Sequence, residues 1–363
     1  MIRKLPGVVL AERGRPPTLE TVSVHEPGPR EVSVRMIASG ICHTDLAAVR
    51  DARAVPALLG HEGAGIVEQI GAEVTHVRPG DHVVINWQVK CGRCRRCLSG
   101  RQDLCENVLG TESPRVYWGE HPLFILLNAG TFCPLAVVPA MGAIPIRRDI
   151  PLDKAALLGC AVATGVGAAL YTAAVRPGET AAVIGSGGVG LNVIQGARLA
   201  NAGQIIAIDI NDDNLSRALQ FGATHTVNSH AQNAVEQVKA LTDGRGVEYV
   251  FEVVGTPELM LQGIDMLARG GELVLIGAAA RDAVLPFAPR RFMSQQQTIK
   301  GCIYGSIRPG IDLPLFADWY MDGRLLLDEL HSQTVSLAQV PDLFAYPEAL
   351  RGIRTVVSFE ELL

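Results

Sequence analysis

Cys91, Cys94 and Cys97, with two residues between each and the next, are followed by Cys105, so four thiols fall within one short loop. The residues between them include Gly92, Arg93, Arg95 and Arg96, which leave almost no apolar surface to order that loop. Something else must hold it. Four thiolates around one tetrahedral ion is the arrangement this spacing favours, and zinc is its usual occupant. Two disulfides would be the alternative, and they need an oxidising compartment. Met1-Ile-Arg-Lys-Leu-Pro6 is charged, and Glu12 and Arg13 cut short the apolar run behind it. No signal-peptide core is legible there, so a reducing, cytoplasmic setting is expected. The lobe, about residues 87–110, therefore reads as a zinc-stapled loop. A closed Cys₄ shell has no place for water or substrate, so the chemistry must lie elsewhere.

A chain of 363 residues has room for two domains with their own cores. Hydrophobic residues at 48 % and charged residues at 19 % describe a globular protein rather than a disordered one. No uninterrupted apolar run is long enough for a membrane span, so no membrane role is expected. A net charge of −5 with no basic stripe argues against a nucleic-acid partner, and the arginines of the lobe read as a solvated loop.

The texture of the chain changes near residue 160. Before it, short alternating runs such as Glu31–Ile37, Gly65–Ile70 and His82–Asn86 predict an irregular, barrel-like β domain. Beyond it, apolar runs at Thr180–Ile184, Ile205–Asp209, Glu248–Val253 and Glu272–Ile276 read as strands. Helical patterns separate them at Leu191–Ala200, Asp213–Phe221, Ala234–Leu241 and Leu259–Ala268. Strands apolar on both faces and separated by helices predict parallel βαβ units. Near Ile303 the mixed, Pro-punctuated texture returns, so the last sixty or so residues are expected to rejoin the first domain.

Gly185-Ser-Gly187-Gly188-Val189-Gly190 stands between the first of those strands and a helix, and Asp209 ends the next strand. In that context the glycines allow a tight turn and close approach to a pyrophosphate at the helix N-terminus. Asp209 is placed to accept the adenosine ribose hydroxyls. Ile210-Asn211-Asp212-Asp213 follows it, with no arginine for a 2′-phosphate, so the expected cofactor is NAD. Ile276, at the end of its strand, is counted among the cofactor-binding residues.

Of the remaining thiols, Cys42 lies in Gly40-Ile-Cys42-His43-Thr44-Asp45 and Cys160 in Leu158-Gly-Cys160-Ala, with Gly60-His61-Glu62-Gly63 between them. Two thiolates and an imidazole make an open zinc site with one position left for water or substrate oxygen. Spacing alone does not join residues so far apart, since a lone Cys is usually a small buried hydrophobe and a lone His a hydrogen-bonded core residue. The motifs taken together do join them. With the Cys91/94/97/105 lobe, Gly159-Cys160, Thr164-Gly165, the Gly185–Gly190 turn, Asp209 and Gly352-Ile-Arg354-Thr355, the chain resembles the zinc-dependent medium-chain alcohol dehydrogenases almost from end to end. The likeness points toward their class III-like, aryl-alcohol and mycothiol-dependent formaldehyde dehydrogenase branch, notably through Asn86-Trp87.

That resemblance implies an α/β chain: a GroES-like β-rich catalytic domain, residues 1–161 and 304–363, and a Rossmann doubly wound parallel sheet domain, residues 162–303. It implies NAD and two zinc ions per chain, one catalytic and one structural, an alcohol or aldehyde substrate, and a homodimer or homotetramer. Cys42, His61 and Cys160 become the catalytic zinc ligands, with Glu62 able to exchange as a transient ligand. Thr44 takes the alcohol proton. His43 and Arg354 meet the pyrophosphate, and Thr164 presses on the nicotinamide. Trp87, Phe132 and Ile303 match substrate-pocket positions and favour a primary aromatic or medium-chain aliphatic alcohol over a branched one. The alternative is a thiol-adduct formaldehyde dehydrogenase; a zinc-free nucleotide-binding relative is disfavoured by the three retained ligands. Two departures stand out. Ala47 replaces the histidine that relays the proton in many relatives, and Asn214 replaces a lysine beyond the ribose aspartate.

Overall fold

The computed structural model describes residues 2–350 and 352–362. The chain divides into two compact units, Met1–Cys160 with Arg308–Leu363, and Ala161–Ile307.

The first unit is built around the strand Glu31–Gly40, whose Val32, Val34 and Met36 alternate into the core. It pairs antiparallel with Glu62–Ile70, and two register irregularities bend the pair. His82–Ile85 and Ala143–Pro145 extend this sheet on one side. On the other side the chain returns after more than three hundred residues: Arg354–Ser358 pairs antiparallel with Glu31–Gly40, and His331–Ser336 lies beyond it. Val356 and Glu62 therefore both sit opposite Gly40. Glu62–Ile70 begins three residues earlier than the alternation suggests, so His61 and Glu62 stand at its threshold. A second sheet, of six strands, is centred on Arg3–Leu10 and Thr18–Val24.

In the second unit six parallel strands run in the order His225–Asn228, Gln204–Asp209, Thr180–Ile184, Val247–Glu252, Leu267–Leu275, Thr298–Gly301. The order reverses between Thr180–Ile184 and Val247–Glu252, the crevice where doubly wound sheets take their ligands. Helices Gly188–Leu199, Asp212–Phe221, Ala234–Leu241 and Pro257–Met266 cross between strands. Three of them have a legible N-cap: Asn211, Asn233 and Thr256 each accept a backbone N–H of the first turn. The helix expected over Leu259–Ala268 stops at Met266, and the next strand starts at once at Leu267. The helical stretch Leu152–Thr172 is long and apolar enough for a membrane span by composition, but 83 % of its most apolar window is buried in protein, as in a core helix.

Candidate active site

Cys42 is the N-cap of the helix His43–Asp51, and the cap is closed by a buried carboxylate rather than by a hydroxyl. Asp45, with no exposed surface, accepts the Cys42 N–H at 3.0 Å, the Gly60 N–H at 3.1 Å and the His61 Nδ1–H at 3.1 Å. One side chain thus ties the helix start to the strand threshold and fixes the imidazole so that Nε2 points away from it. That Nε2 is buried and has no hydrogen-bond partner. Cys160 arrives on a π-helical turn, Leu158–Val162, a distortion that recurs at functional positions. Its neighbour Gly159 permits close packing, since a Cβ there would lie 3.1 Å from the Ile85 carbonyl. Donor atoms of Cys42, His61, Glu62 and Cys160 all fall within 4.8 Å of one another, and all four residues are buried.

Glu62 sits behind this set. A Cβ on Gly40 would be 2.3 Å from Glu62 Oε2, so the carboxylate occupies the space that glycine leaves. Neither of its oxygens has a hydrogen-bond partner, and the nearest countercharge is Arg354 Nη2 at 3.9 Å. Burial pushes its pKa up to about 7, against the pull of Arg354. Arg354 is itself 5 % exposed and donates to the Ile41 carbonyl at 3.4 Å; burial disfavours its charge, but Glu62, Cys42 and Cys160 hold it protonated. The Cys42 thiol is held low by the Cys160 sulfur against the cost of burial, and Cys160 is pushed up in turn by Cys42 and by burial. Burial opposes charge on His61, yet Asp45 and Cys42 raise its pKa. An orphaned imidazole nitrogen, two crowded sulfurs and an unbonded carboxylate are what a divalent cation would satisfy, and two sulfurs with one nitrogen suit zinc. The residues fit the group.

The lobe presents the other donor set. Cys91, Cys94, Cys97 and Cys105 bring their sulfurs within 4.8 Å of one another. Three successive backbone N–H groups, of Cys91, Cys94 and Cys97, donate to Cys105, Cys91 and Cys94 sulfurs at 3.3, 3.3 and 3.5 Å. Those bonds favour thiolates: backbone donors pull Cys91 down to about 6, whereas burial and the other sulfurs push Cys97 up to about 12. All eight cysteines are free thiols. Here too the donors fit zinc, with the four positions filled by sulfur.

In the second unit, Gly185 has φ +94, and a Cβ on Gly190 would lie 1.8 Å from the Gly185 carbonyl oxygen. Only glycine fits that turn, while at Gly187 a Cβ would meet open space. Val189 and Gly190 follow Gly188 in the first turn of the helix. This is an open cradle of backbone at a helix N-terminus, and it fits a pyrophosphate. Asp209 accepts the Ser186 N–H at 2.7 Å and the Asn211 N–H at 2.9 Å, which pins its carboxylate beside the turn. Ile276 donates its N–H to the Glu252 carbonyl at 2.9 Å, and Thr164 is half-buried on the helix Ala163–Gly167.

The remaining residues divide by exposure. His43 and Thr44 are exposed on the first helical turn after Cys42, and the Trp87 ring is half-buried against the core of the first unit. Ile303 is 49 % exposed. Phe132 is a correction: it has no exposed surface and packs edge-on against Phe344 at 6.4 Å, so it offers no wall to a substrate. It instead backs the Gly60-His61 turn, where a Cβ on Gly60 would lie 2.5 Å from the Phe132 nitrogen. Asp45 and Gly40 are the functional positions that motif reading left without a role. The signal for Asp45 was present, as an acid three residues after an N-cap.

The comparisons with known proteins agree with this geometry. Residues 28–148 match the alcohol dehydrogenase GroES-like domain and residues 188–319 the zinc-binding dehydrogenase family. The chain is 36 % identical to an S-(hydroxymethyl)glutathione dehydrogenase of Paracoccus denitrificans, over 97 % of this chain and 99 % of that protein. It is 35 % identical to an alcohol dehydrogenase class-3 of Cereibacter sphaeroides, with the same coverage. The benzyl alcohol dehydrogenase of Acinetobacter calcoaceticus superposes with a TM-score of 0.91 at 30 % identity, covering 98 % of this chain and 99 % of that one. The chain therefore belongs to the zinc-dependent alcohol dehydrogenase family, NAD-dependent oxidoreductases that join a GroES-like domain to a nucleotide-binding domain and carry a catalytic and a structural zinc.

Proposed function

We propose that the chain interconverts a primary aromatic or medium-chain aliphatic alcohol and its aldehyde, with NAD preferred over NADP. The observation that carries this reading is the unpartnered His61 Nε2 facing the Cys42 and Cys160 sulfurs while Asp45 holds Nδ1. In it, Cys42, His61 and Cys160 hold the catalytic ion, Glu62 stands as an exchangeable fourth donor, and Cys91, Cys94, Cys97 and Cys105 hold the structural one. Zinc at the first site supplies Lewis acidity toward an alcohol or carbonyl oxygen. Thr44 would accept the hydroxyl proton of the alcohol while passing on its own, and a bound nicotinamide would supply the hydride acceptor. Ala47 has no base to pass that proton on, so it exits through water or the cofactor's ribose hydroxyls. His43 and Arg354 would meet the cofactor phosphates, Thr164 would press on the nicotinamide, Ile276 would be among the cofactor contacts, and Asp209 would accept the ribose hydroxyls and repel a 2′-phosphate.

Two features support an apolar substrate. The Trp87 ring is only half-buried. In residues 106–128, the one arginine or lysine is Arg115, and its guanidinium is bound to the buried Glu31 at 2.6 Å. No free cation there greets the carboxylates of a thiol-carrier adduct. The second reading, a thiol-adduct formaldehyde dehydrogenase, is favoured by what the Paracoccus relative is named to do. A panel of alcohols and aldehydes followed at the nicotinamide absorbance separates them. Efficiency should climb from ethanol to hexanol and benzyl alcohol, at roughly 0.8 kcal/mol per buried methylene; strict dependence on an added thiol with formaldehyde would select the second reading. We also expect a homo-oligomer. The edge strand Thr298–Gly301 is largely exposed, with Val284 at 73 % and Met293 at 75 % exposure on the segment before it. Eight free thiols accord with a cytoplasmic location.

A further inference from the structure

We propose that Arg217 stands in reserve beside Asp209 and, with it, decides between NAD and NADP, so that a latent 2′-phosphate site lies one helical turn beyond the ribose carboxylate. The inference rests on the assignment of Asp209 to the adenosine ribose.

The helix Asp212–Phe221 starts immediately after the Asp209 strand. On its first turn Asn214 directs Nδ2 to Asp209 Oδ1 at 3.4 Å. One turn further, Arg217 directs Nη1 to Asn214 Oδ1 at 3.5 Å. Residues three apart on a helix share a face, so carboxylate, amide and guanidinium form a line running away from the Gly-rich turn. Arg217 is half-buried, whereas Asp212, Asp213 and Ser216 around it are exposed. Among the described residues no carboxylate makes an ion pair with it. With no carboxylate paired to it, its charge stays available to an anion brought beside Asn214. An arginine offers a planar fork of donors that suits phosphate oxygens, and here only one nitrogen is engaged.

The segment Ile210–Asp213 holds no arginine, and Arg217 adds a cation just beyond it, on the second turn of the same helix. On this account NADP is rejected because the Asp209 charge repels the phosphate, and not because a cation is missing. Removing that charge uncovers the cation. Asn214 is the spacer: its amide lets the carboxylate and the guanidinium coexist without collapsing into a direct pair.

The test is fluorescence titration of NADH and NADPH against the zinc-loaded protein, using the unsubstituted chain, Asp209→Gly, Arg217→Gln and the double variant. Melting temperatures are measured alongside as a control on folding. Asp209→Gly should tighten NADPH binding about tenfold, the scale of one charge-assisted contact, and Arg217→Gln should cancel that gain in the double variant. Arg217→Gln alone should weaken the residual NADPH binding. If Asp209→Gly disturbs the turn that the Asp209 carboxylate braces, Asp209→Asn keeps an acceptor for the Ser186 N–H and should show the same gain and the same cancellation. Retention of the NADPH gain in the double variant overturns the proposal, as does the absence of any gain in both Asp209 variants. If the unsubstituted chain binds NADPH as tightly as NADH, the assignment of Asp209 itself fails, and the proposal with it.

Discussion

The two metal sites use the same element of chemistry, the thiolate, in opposite surroundings. In the lobe, four sulfurs close on one another within a loop whose Arg93, Arg95 and Arg96 are exposed, and only Cys94 and Cys97 are buried. At the catalytic site all four donors are buried, and they come from a helix cap, a strand threshold and a π-helical turn that lie far apart in sequence. The lobe has little else to hold it, so its metal is its core. The catalytic site is braced by the fold: Asp45 fixes the imidazole, Gly40 makes room for Glu62, and Phe132 backs the Gly60-His61 turn. A metal that orders its own loop should govern stability. A metal held in a pocket that the fold itself braces, with one exchangeable donor, should govern turnover.

Substitution within the braced catalytic site should have the largest effect. Cys42→Ser or His61→Ala should lower turnover by about a thousandfold or more while nucleotide still binds, because the Lewis acid is lost and the cofactor cradle of the second unit is untouched. Steady-state rates beside NADH titration check this, and a variant retaining a tenth of wild-type turnover would remove that residue from the ligand set.

Next comes the brace. Asp45→Asn keeps the shape but removes the charge that orients His61, and outer partners of this kind are worth about ten- to a hundredfold in metal affinity. Competition with a chromogenic chelator should show the catalytic ion leaving Asp45→Asn first. Equal retention in both proteins would reduce Asp45 to a helix cap.

Cys94→Ser or Cys105→Ser should invert the pattern, with lower melting temperature and proteolysis within residues 91–105 but near-normal turnover in the chains still folded at low temperature. A melting temperature equal to wild type with one zinc missing would break the comparison. The smallest effect belongs to Gly40→Ala. Its Cβ would lie 2.3 Å from Glu62 Oε2, and overpacking of this kind costs about 1–3 kcal/mol. Thermal melting and rates together should show a modest loss of both; unchanged values would mean that Glu62 moves freely.

Much of the second unit was legible because its signals are local. Thr180–Ile184 is an apolar run ended by glycine, and Ala234–Leu241 follows an Asn cap, so sequence and structure agree on both ranges. His225–Asn228 escaped notice because it is four residues long and only Val227 is apolar. The helix Pro309–Met321 escaped because its apolar residues do not keep to one face and Pro314 lies inside it. Leu152–Thr172 is apolar all round, so it carries no periodic stripe to read. The catalytic site was legible only through resemblance, since no local pattern joins Cys42 to Cys160. The roles of Phe132 and Asp45 depended on packing: which ring turns inward, and which of three N–H groups a carboxylate reaches, are tertiary facts.

The central claim is that one zinc serves chemistry and the other serves the fold. Its most direct test is a chelator titration of the unsubstituted protein, with zinc per chain, turnover and melting temperature followed on the same samples. The account predicts two ions per chain and two separable losses, one that abolishes turnover while the melting temperature barely moves and one that lowers the melting temperature. Turnover and melting temperature falling together in a single step, or a single ion per chain in the fully active protein, would contradict it.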